Sequence, residues 1–84
     1  MVDLNELQFF AQLGKAQSFT LAARQLGTQK SAVSRALVNL ETRLGVRLVE
    51  RTTRRVALTE AGELFLEKCL RVLDEAEQAD RAIN

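Results

Sequence analysis

The 84 residues include 12 basic and 11 acidic side chains, one cysteine, and neither histidine nor proline. A chain of this length forms one small domain, which buries only about two thirds of its unfolded surface and gains stability from a partner. Without imidazole, and with a single thiol, the chain lacks the groups for a catalytic triad, a zinc site or an internal disulfide, so we expect no enzyme activity, metal or cofactor.

The charge is unevenly distributed along the chain. Residues 15–55 contain nine basic and two acidic side chains, whereas residues 56–84 contain seven acidic and three basic ones. A basic segment between acidic flanks is typical of a surface that binds a polyanion. The charge pattern therefore favours nucleic acid as a partner.

The N-terminal segment MVDLNELQFF has neither a basic start nor an apolar run long enough for a signal peptide or a membrane span. We therefore expect a cytoplasmic protein without a membrane segment. Asp3 is an acceptable helix N-cap, and Glu6, three residues later, resembles the second half of a capping box. The helix that follows carries a face that we expect to be buried in a three-helix core, formed by Leu4, Leu7, Phe10 and Leu13.

Two helical patterns follow in quick succession. The first starts after Ser18, a possible N-cap, and ends at Gly27, a residue suited to the left-handed conformation. The second covers about residues 29–44, and because glutamine is a poor cap we expect Thr28, not Gln29, to cap it and to start the helix one residue earlier. Helices joined by so short a turn must cross steeply, which is the helix-turn-helix arrangement.

The second of these helices has an apolar stripe and an opposite polar face. The stripe has spacings of four, three and four and consists of Val33, Leu37, Leu40 and Leu44. The opposite face begins with donors that reach base edges and phosphates, namely Lys30, Ser31, Ser34 and Arg35. Surface helices often begin with polar residues, but the crossed-helix geometry favours a DNA-reading face here.

After Gly45 the pattern changes to two short extended runs on either side of a polar tip. The runs are Val46 to Val49 and Val56 to Leu58, and their alternation predicts a small hairpin, or wing. The tip carries three arginines, Arg51, Arg54 and Arg55. A solvated cluster is the simpler alternative, but beside a helix that reads the major groove an arginine can enter the narrow minor groove, and we expect Arg54 to do so. The predicted DNA-binding residues are Thr20, Gln29, Lys30, Ser31, Ser34, Arg35, Arg54 and Arg55.

Thr59 caps the last predicted helix, which continues without a break to about Ala82. Each residue adds about 1.5 Å to the length of the helix. Beyond about Leu70 the helix therefore extends past the region that the rest of this 84-residue chain can cover. It carries a heptad seam with a second apolar stripe beside it. We therefore expect a homodimer joined by copies of this helix through Phe65, Cys69, Val72, Leu73, Ala76, Ala79 and Ile83.

The segments FTLAARQLG and SAVSRALVNLETRLGVRLVERTTRRVALTEAGE resemble the N-terminal DNA-binding domain of the LysR-type transcriptional regulators. The resemblance covers nearly the whole chain, from about Leu4 onward. It implies a mainly α winged helix-turn-helix fold, with a three-helix core and a two-stranded β wing, over residues 1–58, followed by a linker and dimerisation helix over residues 59–84. It also implies sequence-specific binding to double-stranded DNA, as a homodimer on a pseudo-palindromic site.

The same resemblance implies a C-terminal domain that binds a small-molecule effector, which the 84 residues do not contain, so the chain looks like a fragment. The chain departs from the family at Lys30, where a glutamine is common. Because glutamine prefers adenine, we expect Lys30 to shift the preference toward guanine or phosphate. Two other functions stay open: a protein-interaction module that works through the long helix, and non-specific DNA packaging.

Overall fold

The computed structural model describes residues 3–51 and 55–84. It contains four helices, α1 (Leu4–Ala16), α2 (Phe19–Leu26), α3 (Lys30–Leu44) and α4 (Glu60–Ile83). Helix α1 packs against the other three, and α2 also packs against α3. The expectation of a mainly helical fold is confirmed.

Three of the four helices begin where a side chain caps them. Asp3, Ser18 and Thr59 each accept a hydrogen bond from a backbone N–H two or three residues downstream, at 2.8, 3.1 and 3.0 Å. The capping box expected at Glu6 is wrong, because this carboxylate accepts a hydrogen bond from the guanidinium of Arg43 on α3. The Glu6 side chain therefore joins two helices instead of capping one.

The turn between α2 and α3 corrects the predicted start of α3. Gly27 has φ 69°, and the next N–H, that of Thr28, donates to the Ala23 carbonyl at 2.9 Å. Thr28 thus belongs to the end of α2 and does not cap α3. The N-cap is Gln29, which is extended and makes no side-chain capping bond.

The core joins apolar side chains from all four helices and from the segment after α3. Its largest fully buried side chains include Phe10, Leu13 and Leu40. Two expected core positions are exposed: Leu4, in the first turn of α1, and Leu44, in the last turn of α3.

The predicted wing is represented in the described residues by one antiparallel bridge, between Val49 and Leu58. Backbone hydrogen bonds flank it, from Glu50 N–H to the Ala57 carbonyl at 2.8 Å and from Thr59 N–H to the Leu48 carbonyl at 3.0 Å. The described part of the chain contains no longer strand. The tip residues 52–54, including Arg54, lie outside the described residues.

The first half of α4 packs against α1 of the same chain. The rings of Phe65 and Phe10 are 5.6 Å apart between centroids, and Cys69 is 1% exposed. Burial raises the pKa of the Cys69 thiol to about 11. The prediction that Phe65 and Cys69 face a partner helix is corrected, because both side chains pack against the core of their own chain.

From Asp74 to Asn84 every residue is exposed. This end of α4 projects from the helical body and contributes to the elongated shape of 44 × 26 × 19 Å. Within the described residues, no helix combines the length and the apolar character needed to cross a bilayer.

Candidate nucleic-acid interface

The polar face of α3 is exposed, as expected. Val33, Leu37 and Leu40 are buried, and this orients the helix. The residues that consequently face outward include the four predicted contact residues within α3, Lys30, Ser31, Ser34 and Arg35. Consecutive members are one, three and one residues apart, which gives a continuous donor face over the first turn and a half of α3.

The N-terminus of α3 lies at one end of this face. Gln29 has φ −95° and ψ 152°, and its exposed side chain makes no capping bond. A helix start without a side-chain cap leaves backbone N–H groups for an outside acceptor, and the positive end of the helix dipole favours an anion. This end of α3 therefore suits a phosphate oxygen.

Three predicted contact residues, distant in sequence, meet around a concavity of about 330 Å³. Thr20 comes from the first turn of α2, Lys30 from the first turn of α3, and Arg55 from the segment that follows the wing tip. The structure thus places two cations and a hydroxyl beside the start of α3. Arg54, the residue predicted for the minor groove, lies outside the described residues.

Glu41 of α3 holds the wing base, which consists of Leu48 and Val49, against this helix, a contact that the sequence pattern did not predict. It is 8% exposed, and its Oε2 accepts hydrogen bonds from the backbone N–H groups of Leu48, at 2.8 Å, and Val49, at 3.3 Å. Its Oε1 accepts one from the Arg51 guanidinium. Arg51, predicted as part of the wing-tip cluster, is therefore tied to α3. The sequence feature that could have indicated this role is an acidic residue one position after Leu40, beside the apolar stripe.

The exposed face of α3 continues past the predicted residues to Val38, Asn39 and Thr42. Val38 is 49% exposed and lines a groove of about 380 Å³. The groove separates α3 from the segment that follows it, and its other lining residues are Glu41, Thr42, Gly45, Val46, Arg47 and Arg51. The sequence signal for Val38 was its position four residues after Ser34.

A second surface lies between α1 and the second half of α4. It forms a groove of about 880 Å³ whose apolar lining consists of Leu4, Leu70, Leu73 and Ala76. Of the remaining predicted dimer residues, Val72, Ala79 and Ile83 are exposed along α4. The predicted seam is thus divided into an inner part, which the core covers, and an outer part, which is open.

Residues 4–63 match the sequence profile of a family described as "Bacterial regulatory helix-turn-helix protein, lysR family". An "HTH-type transcriptional regulator" of Xanthomonas campestris pv. campestris (strain 8004) is 48% identical over 81 residues, which are 96% of this chain and 24% of that protein. The chain therefore spans about a quarter of the length of this curated relative. The predicted resemblance to the LysR-type regulators is thus confirmed.

Several solved structures also align with nearly the whole of this chain. A "BenM_DBD/catB site 1 DNA Complex" aligns with a TM-score of 0.94 at 33% identity, over 98% of this chain and 91% of that one. A "CbnR_DBD-DNA complex" aligns with a TM-score of 0.88 at 34% identity, over 96% of this chain and 94% of that one. The four-helix arrangement is thus similar to that of protein chains solved together with DNA.

Proposed function

The chain belongs to the lysR family of bacterial regulatory helix-turn-helix proteins, and we propose that it is the sequence-specific DNA-binding domain of a transcription regulator. Residues 1–58 are the winged helix-turn-helix unit and residues 59–84 the linker helix. The observation that carries the proposal is the single exposed donor face of α3, with Thr20 and Arg55 beside its first turn.

In this proposal α3 enters the major groove of double-stranded DNA. Lys30 and Arg35 donate to guanine O6 and N7 or to flanking phosphates, while Ser31 and Ser34 make shorter contacts. A buried apolar stripe fixes the rotation of α3 about its axis, so the donor face stays aimed outward. Arg54 is proposed for the minor groove from the sequence pattern alone.

Phosphate contacts set the depth and register of α3 in the groove. Thr20, Gln29 and the uncapped first turn of α3 offer donors at one end of the reading helix, and Arg55 adds a positive charge there. Such contacts position the protein without reading sequence. The net charge of residues 15–55 supports this arrangement, because most of the basic side chains of the chain lie in the segment that contains α2, α3 and the predicted wing.

We propose a homodimer through the second half of α4. Leu70, Val72, Leu73, Ala76, Ala79 and Ile83 form its apolar surface, which the described part of the chain leaves at least partly open. A helix of 24 residues is about 36 Å long, so two paired copies hold two reading helices at a fixed separation. The matching DNA has two half-sites related by a twofold axis, about one helical turn apart or a multiple of it.

The whole regulator is proposed to work in the cytoplasm and to sense a small molecule through a domain outside these 84 residues. The length supports this, since the chain spans only about a quarter of a curated relative. The 84 residues would then deliver DNA binding and dimerisation, and the other domain would respond to the effector.

The experiment that tests the proposal is fluorescence anisotropy with a duplex obtained by selection from a random pool, compared with a scrambled duplex, at several salt concentrations. We expect at least about a thousandfold preference for the selected duplex, and affinity that falls steeply with salt. Equal binding to both duplexes contradicts sequence-specific recognition and favours DNA packaging.

Lys30→Ala is expected to lower the affinity for the selected duplex by at least about fivefold, because it removes a charged donor from the reading face. Lys68→Ala is the matched control, since it removes the same charge from an exposed position on α4. A Lys30 effect on the selected duplex alone indicates base reading, and an equal effect on both duplexes indicates a phosphate contact. Equal loss from Lys30→Ala and Lys68→Ala would show that only overall charge matters.

Val72→Asp is expected to shift the chain from dimer to monomer, because it places a charge in the apolar surface between paired α4 helices. Leu64→Asp is the control: Leu64 is also exposed on α4, on the face turned away from the packed side of the helix. Sedimentation velocity at increasing protein concentration measures both. If neither variant, or both equally, changes the dimer, this surface does not hold the partner.

A further inference from the structure

Val38 is the large apolar side chain on the donor face of α3. It lies four residues after Ser34, three after Arg35 and four before Thr42, so it shares their side of the helix. About half of its surface is exposed, and it is not part of the hydrophobic core. The fold therefore gains little from a β-branched residue at this position.

The proposed dimer does not cover Val38. The groove between α1 and α4 is lined by no residue of α3. Val38 instead lines the groove beside Thr42, Arg47 and Arg51, within the basic half of the chain. A molecule that covers Val38 therefore also lies beside Arg47 and beside Arg51, whose guanidinium Glu41 holds. It covers the donor face of α3 as well, and this combination fits DNA.

The major groove offers one kind of apolar group to such a side chain. Edges of adenine, guanine and cytosine present hydrogen-bonding groups there, whereas thymine also presents its 5-methyl group. The valine side chain forms no hydrogen bond. Over the other three bases it would cover polar atoms without replacing the hydrogen bonds that these atoms make to water. Over thymine it buries a methyl group against methyl groups.

On the basis of the proposed function, we infer that Val38 determines specificity by contacting the 5-methyl group of a thymine in each half-site. The position of this thymine is also defined. Val38 follows Lys30 by eight residues, about 12 Å along the helix, and base pairs are about 3.4 Å apart. The thymine lies within about four base pairs of the base or phosphate that Lys30 contacts.

The test replaces each thymine of the selected duplex in turn by deoxyuridine, which removes only the methyl group. Affinities of the 84-residue chain and of Val38→Ala are measured by anisotropy. The unmodified chain is expected to lose about fourfold in affinity at one thymine per half-site, the value for one buried methyl group. In Val38→Ala the loss at that thymine falls to less than about twofold, and responses at other thymines are unchanged.

Val46→Ala is the control, because Val46 is similarly exposed and lines the same groove but lies outside α3. It is expected to keep the fourfold response. Thermal unfolding checks that both variants are folded. At Val38, which is an exposed helix position, alanine also favours the helix. The DNA affinities of the two variants are thus compared between folded proteins.

The outcomes separate the inference from the function on which it rests. If the selected duplex is preferred but no thymine loses its methyl response in Val38→Ala, the inference is wrong and the proposed function stands. The same holds if the responsive thymine lies more than about four base pairs from the Lys30 contact. If selected and scrambled duplexes bind alike, the proposed function fails and the inference fails with it.

Discussion

Gly62→Ala is expected to destabilise the fold by about 3 kcal/mol or more, above the usual cost of an added methyl group in a packed core. Gly62 lies in the first turn of α4, where an added Cβ would be 2.0 Å from the Leu48 carbonyl oxygen and 2.9 Å from its carbon. Both atoms belong to the backbone, so no side chain can rotate away. Helix α4 must move, and the Thr59 N–H bond to the same oxygen is disturbed.

The measurement is thermal and urea-induced unfolding. For a domain of this size about 3 kcal/mol corresponds to a melting temperature lower by about 12 to 24 °C. Gly14→Ala is the matched control, because its Cβ would be 2.9 Å from the end of the Leu66 side chain. We expect that variant to stay within about 1 kcal/mol of the original chain, since alanine also favours the helix. Equal losses in the two variants would contradict the proposed backbone clash.

Glu41→Ala is expected to cost about 2 to 4 kcal/mol, because one carboxylate serves three donors. Its removal deprives the Leu48 and Val49 N–H groups of their acceptor in a buried site, at about 1–3 kcal/mol for a group left unsatisfied. The lost ion pair with Arg51 adds less to this cost, since the Arg51 side chain is 40% exposed and can be solvated by water instead. The helix and the wing base then lose their polar link.

Two further variants make this prediction specific. Glu41→Gln keeps one oxygen acceptor and most of the volume, so we expect about half the loss. Glu67→Ala removes an acid whose ion pair with Arg71 is exposed, and its cost is expected to stay below about 0.5 kcal/mol. Urea unfolding gives the free energies, and amide exchange at Leu48 and Val49 reports the lost acceptor. Unchanged exchange in Glu41→Ala would show that other groups hold this segment.

The predicted DNA-binding residues of α3 were found by periodicity, and the structure leaves Lys30, Ser31, Ser34 and Arg35 exposed on the face where periodicity placed them. Periodicity also placed Cys69 in the dimer seam, but it could not show that α1 covers that part of α4. Val38 was missed for a related reason. It interrupts a polar face with an apolar residue, and only its observed exposure distinguishes it from the buried stripe.

The sequence by itself determined the features that depend on near neighbours. The caps at Asp3, Ser18 and Thr59 and the end of α2 at Gly27 each involve residues within about five positions, so local pattern is sufficient to predict them. The face of α3 that packs inward follows from the spacing of its apolar residues in the same way.

Tertiary structure alone decided which distant groups meet. Glu6 binds Arg43 across 37 positions instead of capping its own helix, and Gly62 approaches the Leu48 carbonyl across a gap of 14 positions. The physical reason is that a helix fixes the direction of a side chain but not what lies opposite it. That choice is made when all four helices pack around one core, and it decides which residues are left open to DNA or to a partner.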